Sequence, residues 1–284
     1  MTPGGLGKKG MGTEMGGLAG RGAFWEKTWK EYSADDKVAA YEEIIRWATG
    51  LENLEGKEVL DIGCGLGVSS YAAYRLSARK ITGFDTDENV LELSKREIWA
   101  KKAGSSERWT LQQGSILDRG FIADLSSYDL IMAFGVFWMT GDFFTSLGNS
   151  LSLLRDGGTI IFSYSKKGFK TAVKERLNRF LLEAPVFLKN PVIYTVTAVS
   201  FLRKICILFF RGQFSQMNAR NIFLSSYPWW TKLSTMESFP LDKIAAFCEQ
   251  QGLEQKACKG ERYQGEHKVI VFKKKASFLT EIKT

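Results

Sequence analysis

The chain is poor in the residues that build metal centres and covalent cross-links. Among 284 residues there is one histidine, His267, and four scattered cysteines, Cys64, Cys206, Cys248 and Cys258, with no C-x-x-C pair. That excludes the usual zinc spacings and a disulfide framework, and it suits a reducing cytosol. No acid–His–Cys cluster marks a metal site, so none is expected. A signal peptide is also missing: residues 1–23 contain nine glycines and no apolar run. Such a segment cannot offset the entropy of ordering and reads as a flexible leader. No Gly-Lys-Ser/Thr ends a glycine-rich loop, which excludes a P-loop.

What remains is ordinary globular composition, 44% hydrophobic, 13% aromatic and 25% charged, with length for one large or two small domains. The net charge of +8 is local. Residues 165–212 carry ten basic residues and two acidic ones, Glu175 and Glu183, while the other 236 residues hold 29 of each sign. The charge therefore belongs to one segment and not to the chain as a whole.

Order is expected from Phe24, where Phe24, Trp25 and Trp29 share a helical face. A helix over 35–49 follows, with Val38, Tyr41, Ile45 and Ala48 at helical spacing and Gly50 after it. From residue 57 short apolar strands alternate with helices. Strands are expected at 57–62, 80–85, 108–113, 128–134 and 159–164, with helices at 68–76, 89–103 and 143–154 between them. A helix at 241–251 and strands at 253–259 and 267–273 complete the pattern. Continuous apolar strands mean an α/β fold, a doubly wound sheet covered on both faces. The link 260–266 is too short for a crossover helix, so the last strand must run antiparallel.

The densest local signal is Val59-Leu60-Asp61-Ile62-Gly63-Cys64-Gly65-Leu66-Gly67. Glycines directly after a strand permit a tight turn and bring helix N–H groups to a ligand. A dinucleotide fingerprint would need glycine where Val68 stands. The second strand ends in Asp85, where an acid accepts hydrogen bonds from ribose hydroxyls.

Asp61-x-Gly63-x-Gly65-x-Gly67 followed by Gly83-Phe84-Asp85 resembles the class I S-adenosylmethionine (SAM)-dependent methyltransferases, in their small-molecule, ubiquinone-biosynthesis-like branch. The resemblance spans about 54–274 and is weakest over 166–236. It implies a Rossmann-like seven-stranded sheet with SAM as cofactor. It further implies that Asp61 reaches the methionine amino group, that Gly63, Cys64 and Gly65 line the methionine moiety with Gly67 also in the cofactor loop, and that Asp85 binds the ribose with Thr86 beside the adenine. Ser115 and Ile116 stand where the family has an adenine-binding Asp after strand 3, and Phe134 and Gly135 would run beneath the sulfonium. Trp138-Met139 replaces a His-His pair common in related sequences. No Asn/Asp-Pro-Pro-Tyr/Phe follows strand 4, which disfavours nucleobase N-methylation.

For the acceptor side, His267 and Tyr164 are the candidate catalytic residues, with Arg262 and Tyr263 at the rim; a neutral imidazole suits deprotonation of a hydroxyl. Asp87 is an alternative N-cap that frees Asp85, and Cys64 reads as filler in the turn. The domain reading is a leader over 1–23, N-terminal helices and SAM-binding core over 24–164, a basic, partly apolar helical cap over 165–236, completion of the core over 237–274, and a tail over 275–284. Within the cap, Val173, Leu177, Phe180 and Leu181 recur at helical spacing, and 192–210 is apolar apart from Arg203-Lys204. Two charges near a bilayer centre disfavour a membrane span, at about 2.5–3.5 kcal/mol each. The cap is expected to pack its apolar side chains over a pocket, with Tyr227-Pro228-Trp229-Trp230 as added wall. Its alternative is a surface for anionic lipid or an amphipathic, anionic acceptor.

The function expected is methyl transfer to a small or lipophilic acceptor, with hydroxyl first and nitrogen or carbon also open. Nucleic acid ranks below lipid as a partner because no stacking platform accompanies the basic residues. Two other readings stay open: a module that binds anionic lipid or RNA through the basic segment, and a SAM-binding subunit without turnover.

Overall fold

A computed structural model describes residues 35–99, 103–104, 107–165, 173, 176–177, 180, 184–210, 212, 237–260 and 267–276. The expected helix around Trp25 and Trp29, residues 261–266 of the link with Arg262 and Tyr263, and the Tyr227–Trp230 wall lie outside these residues.

The first helix, α1 (Asp35–Thr49), has Asp35 and Asp36 in its first turn and Arg46 in its last, the charge order its dipole favours. Gly50, at φ 69°, ends it by donating its N–H to the Arg46 carbonyl at 2.8 Å. The alternating region then runs β1 (Glu58–Ile62), α2 (Val68–Arg75), β2 (Lys80–Asp85), α3 (Glu88–Ser94), β3 (Trp109–Gln113), α4 (Arg119–Ala123), β4 (Tyr128–Ala133), α5 (Phe143–Ser152) and β5 (Leu154–Ser165). After β5 come α6 (Val186–Phe210), α7 (Leu241–Gln250), β6 (Leu253–Gly260) and β7 (His267–Lys274).

These strands form one sheet in the order β3-β2-β1-β4-β5-β7-β6. The first five are mutually parallel, and β7 runs antiparallel to both β5 and β6, as the short link requires. Alternation along each strand divides the apolar side chains between two cores. Leu60, Ile62, Ile131, Ile160, Phe162, Ile270 and Phe272 face α5 and α7. Val59, Leu130, Met132, Ile161, Val269 and Val271 face α1 and α2 on the other side. Both faces of the sheet are thus covered, which explains strands that are apolar throughout.

Three local departures from the sequence reading have physical causes. The helix expected over 89–103 is α-helical only to Ser94 and continues as a π turn at Lys95–Trp99. The short α4 is too brief for periodicity to show; Asp118 caps it by accepting from the N–H groups of Gly120 and Phe121 at 2.9 and 3.3 Å. The strand expected from 159 begins at Leu154, with Asp156-Gly157-Gly158 as an irregularity inside it instead of a helix stop.

The largest departure is in the cap. In the described residues α6 is one 25-residue helix. Its apolar side chains are not packed over a pocket: Phe187 is 73% exposed, Leu202 60% and Phe210 85%. Of the described apolar members of the preceding helical stretch, Val173 and Phe180 are exposed as well and Leu177 is half-buried. The expectation of an apolar cap closing over the sheet is corrected for these segments.

Candidate functional site

The strand order reverses between β1 and β4, since β2 follows β1 on one side and β4 begins the other half of the sheet. A cleft opens at the carboxyl ends of strands beside such a switch point. Ile62-Gly63-Cys64-Gly65 leaves β1 there, Asp85 ends β2, Gly114-Ser115 follows β3, and Phe134-Gly135-Val136 follows β4. The structure therefore brings together, on one sheet edge, most residues singled out in the sequence.

The glycines have separate reasons. Gly63, Gly65 and Gly67 have φ of 60°, 52° and 79°, a region where side chains are strained. A Cβ on Gly63 would lie 2.5 Å from Val136 of the β4 loop, and one on Gly67 would lie 2.5 Å from the Ser94 hydroxyl. These two glycines let the loop close down on its neighbours. At Gly65 a Cβ would meet nothing within 4 Å, and the same holds at Gly135, φ 76°. Those two positions leave room above the backbone, one on each side of the switch point.

Asp61 is turned toward α2, on the same face as Val59. Its Oδ2 accepts hydrogen bonds from the hydroxyls of Ser69 and Ser70 at 2.7 and 2.6 Å. Burial pushes its carboxyl up to about 6, against those hydroxyls, and the charge on Asp85 adds to the rise. Asp85 accepts from the Gly65 N–H at 3.0 Å through one oxygen and from the Asp87 N–H at 3.0 Å through the other. Burial raises its carboxyl too, although the backbone donors of Asp87 and Gly65 oppose it. Asp87 caps α3 by accepting from Asn89 at 3.0 Å, so Asp85 is free of that task. Among the described residues no cation pairs with either Asp61 or Asp85.

The other expected positions fall out as follows. Cys64 is buried; its N–H donates to the Phe84 carbonyl at 3.0 Å, and its sulfur lies against Gly83. Burial, with Asp61 and Asp85 nearby, holds its thiol well above the ordinary value, so it is filler and no nucleophile. Thr86 is exposed, and its carbonyl accepts from the Gln113 amide at 3.1 Å. The Ser115 hydroxyl accepts from the Leu117 N–H at 3.2 Å within its own turn, and Ile116 is buried in the core. Phe134 packs on Tyr41 of α1, ring centroids 5.0 Å apart.

Tyr164 is buried, and its hydroxyl lies 4.0 Å from the Cys258 sulfur. That aims it across β7 toward the edge strand, away from the switch point. Burial also raises its phenol far above the ordinary value, which makes it a poor base. His267 starts β7, and its backbone lies opposite Ser165 at the carboxyl end of β5, at the same sheet edge as the glycine loop.

The sequence reading missed the residues that hold this edge in shape. Ser69 and Ser70 anchor Asp61. Ser163 on β5 is buried and accepts from the Gly135 N–H at 2.7 Å, which fixes the β4 loop. Glu237 accepts from the Phe143 N–H at 2.9 Å and donates its own N–H to the Trp138 carbonyl at 2.9 Å, tying the returning chain to that loop. Ser-Ser in the first turn after a glycine loop was a readable signal; Ser163 and Glu237 act only through tertiary proximity.

This fold and this loop set define a Rossmann-like methyltransferase. A profile described as a methyltransferase domain matches residues 53–251, and the chain belongs to that family. The class is SAM-dependent, and S-adenosyl-L-methionine is its cofactor. Among curated proteins the chain is similar to the ribosomal protein L11 methyltransferases of Shewanella piezotolerans, 36% identical over 81 residues, covering 28% of this chain and 27% of that one. The Pectobacterium carotovorum protein of the same name is 37% identical over 89 residues, 31% of this chain and 28% of that one. The chain thus matches little more than a quarter of the length of these relatives. In fold it resembles the magnesium protoporphyrin IX methyltransferase of Synechocystis PCC 6803 solved with bound SAH, at TM-score 0.52 and 14% identity, covering 84% of this chain and 83% of that one. An O-methyltransferase family protein from Burkholderia thailandensis gives TM-score 0.52 at 13% identity over 91% of this chain and 63% of that one.

The residues present fit the cofactor. Space stands open above Gly65 and Gly135, and Asp85, which among the described residues has no cationic partner, is bonded to the Gly65 backbone.

Proposed function

We propose that this chain transfers the methyl group of SAM to a lipophilic acceptor, with a hydroxyl oxygen as the acceptor atom. The observation that carries the lipophilic part is α6: the chain leaves β5 at the glycine-loop edge and soon forms a helix whose large apolar side chains are exposed. In this reading Asp85 takes the ribose hydroxyls, and Gly63, Cys64, Gly65 and Gly67 pass beside the methionine moiety. Asp61 supplies negative charge toward its amino group, and Thr86, Ser115 and Ile116 border the adenine. Phe134 and Gly135 form the floor on the β4 side.

When bound, the cofactor supplies a methyl group already activated by a positive sulfur. What the chain's own residues must do is hold, align and exclude water. The Gly65 and Gly135 backbones allow close approach from both halves of the sheet, and the Ser163 bond keeps the second of them in place. A hydroxyl acceptor must lose a proton, and His267, the chain's one imidazole, begins its strand at this edge. With Tyr164 turned away, His267 is the residue proposed to take that proton.

The test is methyl transfer from radiolabelled SAM to a panel of matched acceptors: a long-chain phenol, the corresponding amine, magnesium protoporphyrin IX and L11 protein. Label is expected in the phenol. Label in the amine or in L11 alone would replace the acceptor assignment, and tight SAM binding without label in any of them would favour a subunit without turnover.

A further inference from the structure

The helix α6 presents a broad exposed apolar face. At about 100° per residue, Phe187, Tyr194, Val199, Leu202, Phe209 and Phe210 fall on roughly half of its circumference. All six are exposed, from Phe209 at 57% to Phe210 at 85%. The opposite flank carries Lys189, Thr197, Ser200 and Lys204 and is the shielded one, with Thr197 only 2% exposed. That flank also holds half-buried Ile193 and Leu208, so the large apolar side chains of the other face are the ones left without cover. Even the hydroxyl on the exposed face is satisfied without water, since Thr195 donates to the Pro191 carbonyl at 2.8 Å; Thr197 does the same to Ile193 at 2.7 Å. Among the described residues, Phe187–Phe210 is the one helix long and apolar enough to cross a membrane. It is neither buried, as a core helix would be, nor near the N-terminus, as a signal sequence would be.

Charge says what covers this face. No Asp or Glu occurs between Glu183 and Glu237, a stretch that holds Lys189, Arg203, Lys204, Arg211, Arg220 and Lys232. Six further basic residues lie between Ser165 and Glu183. A protein partner or a second copy of this chain needs only an apolar surface; an apolar helix in a segment with ten basic and two acidic residues over 165–212 matches acyl chains beneath anionic headgroups.

Topology decides between spanning and lying flat. The helix is about 36 Å long at 1.5 Å per residue, enough for a bilayer core. Both of its flanks, however, return to one domain: β5 precedes it, and Glu237 is bonded back to Trp138 and Phe143. A single crossing would need a second crossing within 211–236, which contains no apolar stretch approaching twenty residues.

We infer that α6 lies in the plane of an anionic bilayer, with the Phe187–Leu202–Phe210 face among the acyl chains and Arg203 and the flanking basic residues at the headgroups. The helix thereby sets the carboxyl edge of the sheet at the membrane surface, where a lipophilic acceptor is concentrated. This deepens the acceptor reading above, but its test does not depend on turnover.

The experiment is co-sedimentation of the full chain with phosphatidylcholine vesicles, with and without 30 mol% phosphatidylglycerol as a stated probe composition on the order of biological anionic content. Binding is expected with the anionic vesicles, about tenfold or more weaker without them or in high salt. The double variant Leu202→Glu/Phe209→Glu should lose roughly a hundredfold in vesicle binding. Its binding of S-adenosylhomocysteine (SAH), measured in parallel, should stay at the parent value and so certify the fold. Absence of vesicle binding by the parent chain, or undiminished binding by the double variant, overturns the inference. So does a stable dimer by light scattering that the double variant dissociates, because the occupant is then a second copy. If the parent binds vesicles and not SAH, the cofactor reading fails while the membrane inference stands.

Discussion

The two edges of this sheet handle their carboxylates in opposite ways. At the amino edge Glu58 accepts from both Arg79 and Arg155, and Arg155 also donates to Asp129 at 2.8 Å. Every charge in that bracket meets its opposite. At the carboxyl edge Asp61 and Asp85 are held, among the described residues, by hydroxyls and backbone N–H groups, and burial raises both. Buried carboxylates without a cation cost free energy, which is consistent with the proposal that the cofactor supplies further donors at this edge. In the proposed reading the amino edge serves stability and the carboxyl edge serves binding.

The largest expected effect is at Asp85. Replacing Asp85 by Ala removes the proposed ribose acceptor and the anchor of the Gly65 N–H, and SAH affinity by calorimetry should fall at least roughly a hundredfold, as two charge-assisted hydrogen bonds would give. Retained affinity would erase the distinction between the edges.

Asp61→Asn should split binding from stability. The folded-state carboxyl titrates near 6, above its ordinary 3.8, so folding favours the protonated form. Stability from this group is therefore full below about pH 4 and falls as pH rises through 6, by on the order of 3 kcal/mol in total. Asn removes that loss: thermal unfolding at pH 7.5 should shift upward, with about a third of that gain at pH 4.5, while SAH binding weakens about tenfold. An Asn variant less stable at pH 7.5 would mean that the Ser69 and Ser70 hydroxyls more than offset burial.

The smallest effect belongs to the amino edge. Arg155→Met should cost about 1 kcal/mol in denaturant unfolding, because Arg155 is partly exposed and Arg79 still faces Glu58. SAH affinity should stay within about twofold, the ordinary insensitivity of a distant site. A large binding loss there would show the two edges to be coupled.

Much of this architecture was readable before any coordinates. The switch-point strands announce themselves because each is apolar throughout and punctuated by glycine, and strand β2 and helix α1 begin and end where the pattern places them. The glycine loop and Asp85 were legible because backbone conformation demands particular residue types there. Ser163 and Glu237 were not, since a lone polar residue in a strand or after a loop carries no periodic mark. The fate of α6 was also hidden. Composition records that 192–210 is apolar, but not whether the apolar face turns toward the sheet or away from it, and the exposed Phe187 and Phe210 answer that.

The most direct test of the central claim is a titration of the unmodified protein with SAH at pH 7.5 and pH 5. The account predicts saturable one-to-one binding at pH 7.5 and an affinity roughly tenfold lower at pH 5, where Asp61 must give up a proton before it can meet the ligand's amino group. Absence of binding at either pH, or an affinity that rises as pH falls, would contradict it.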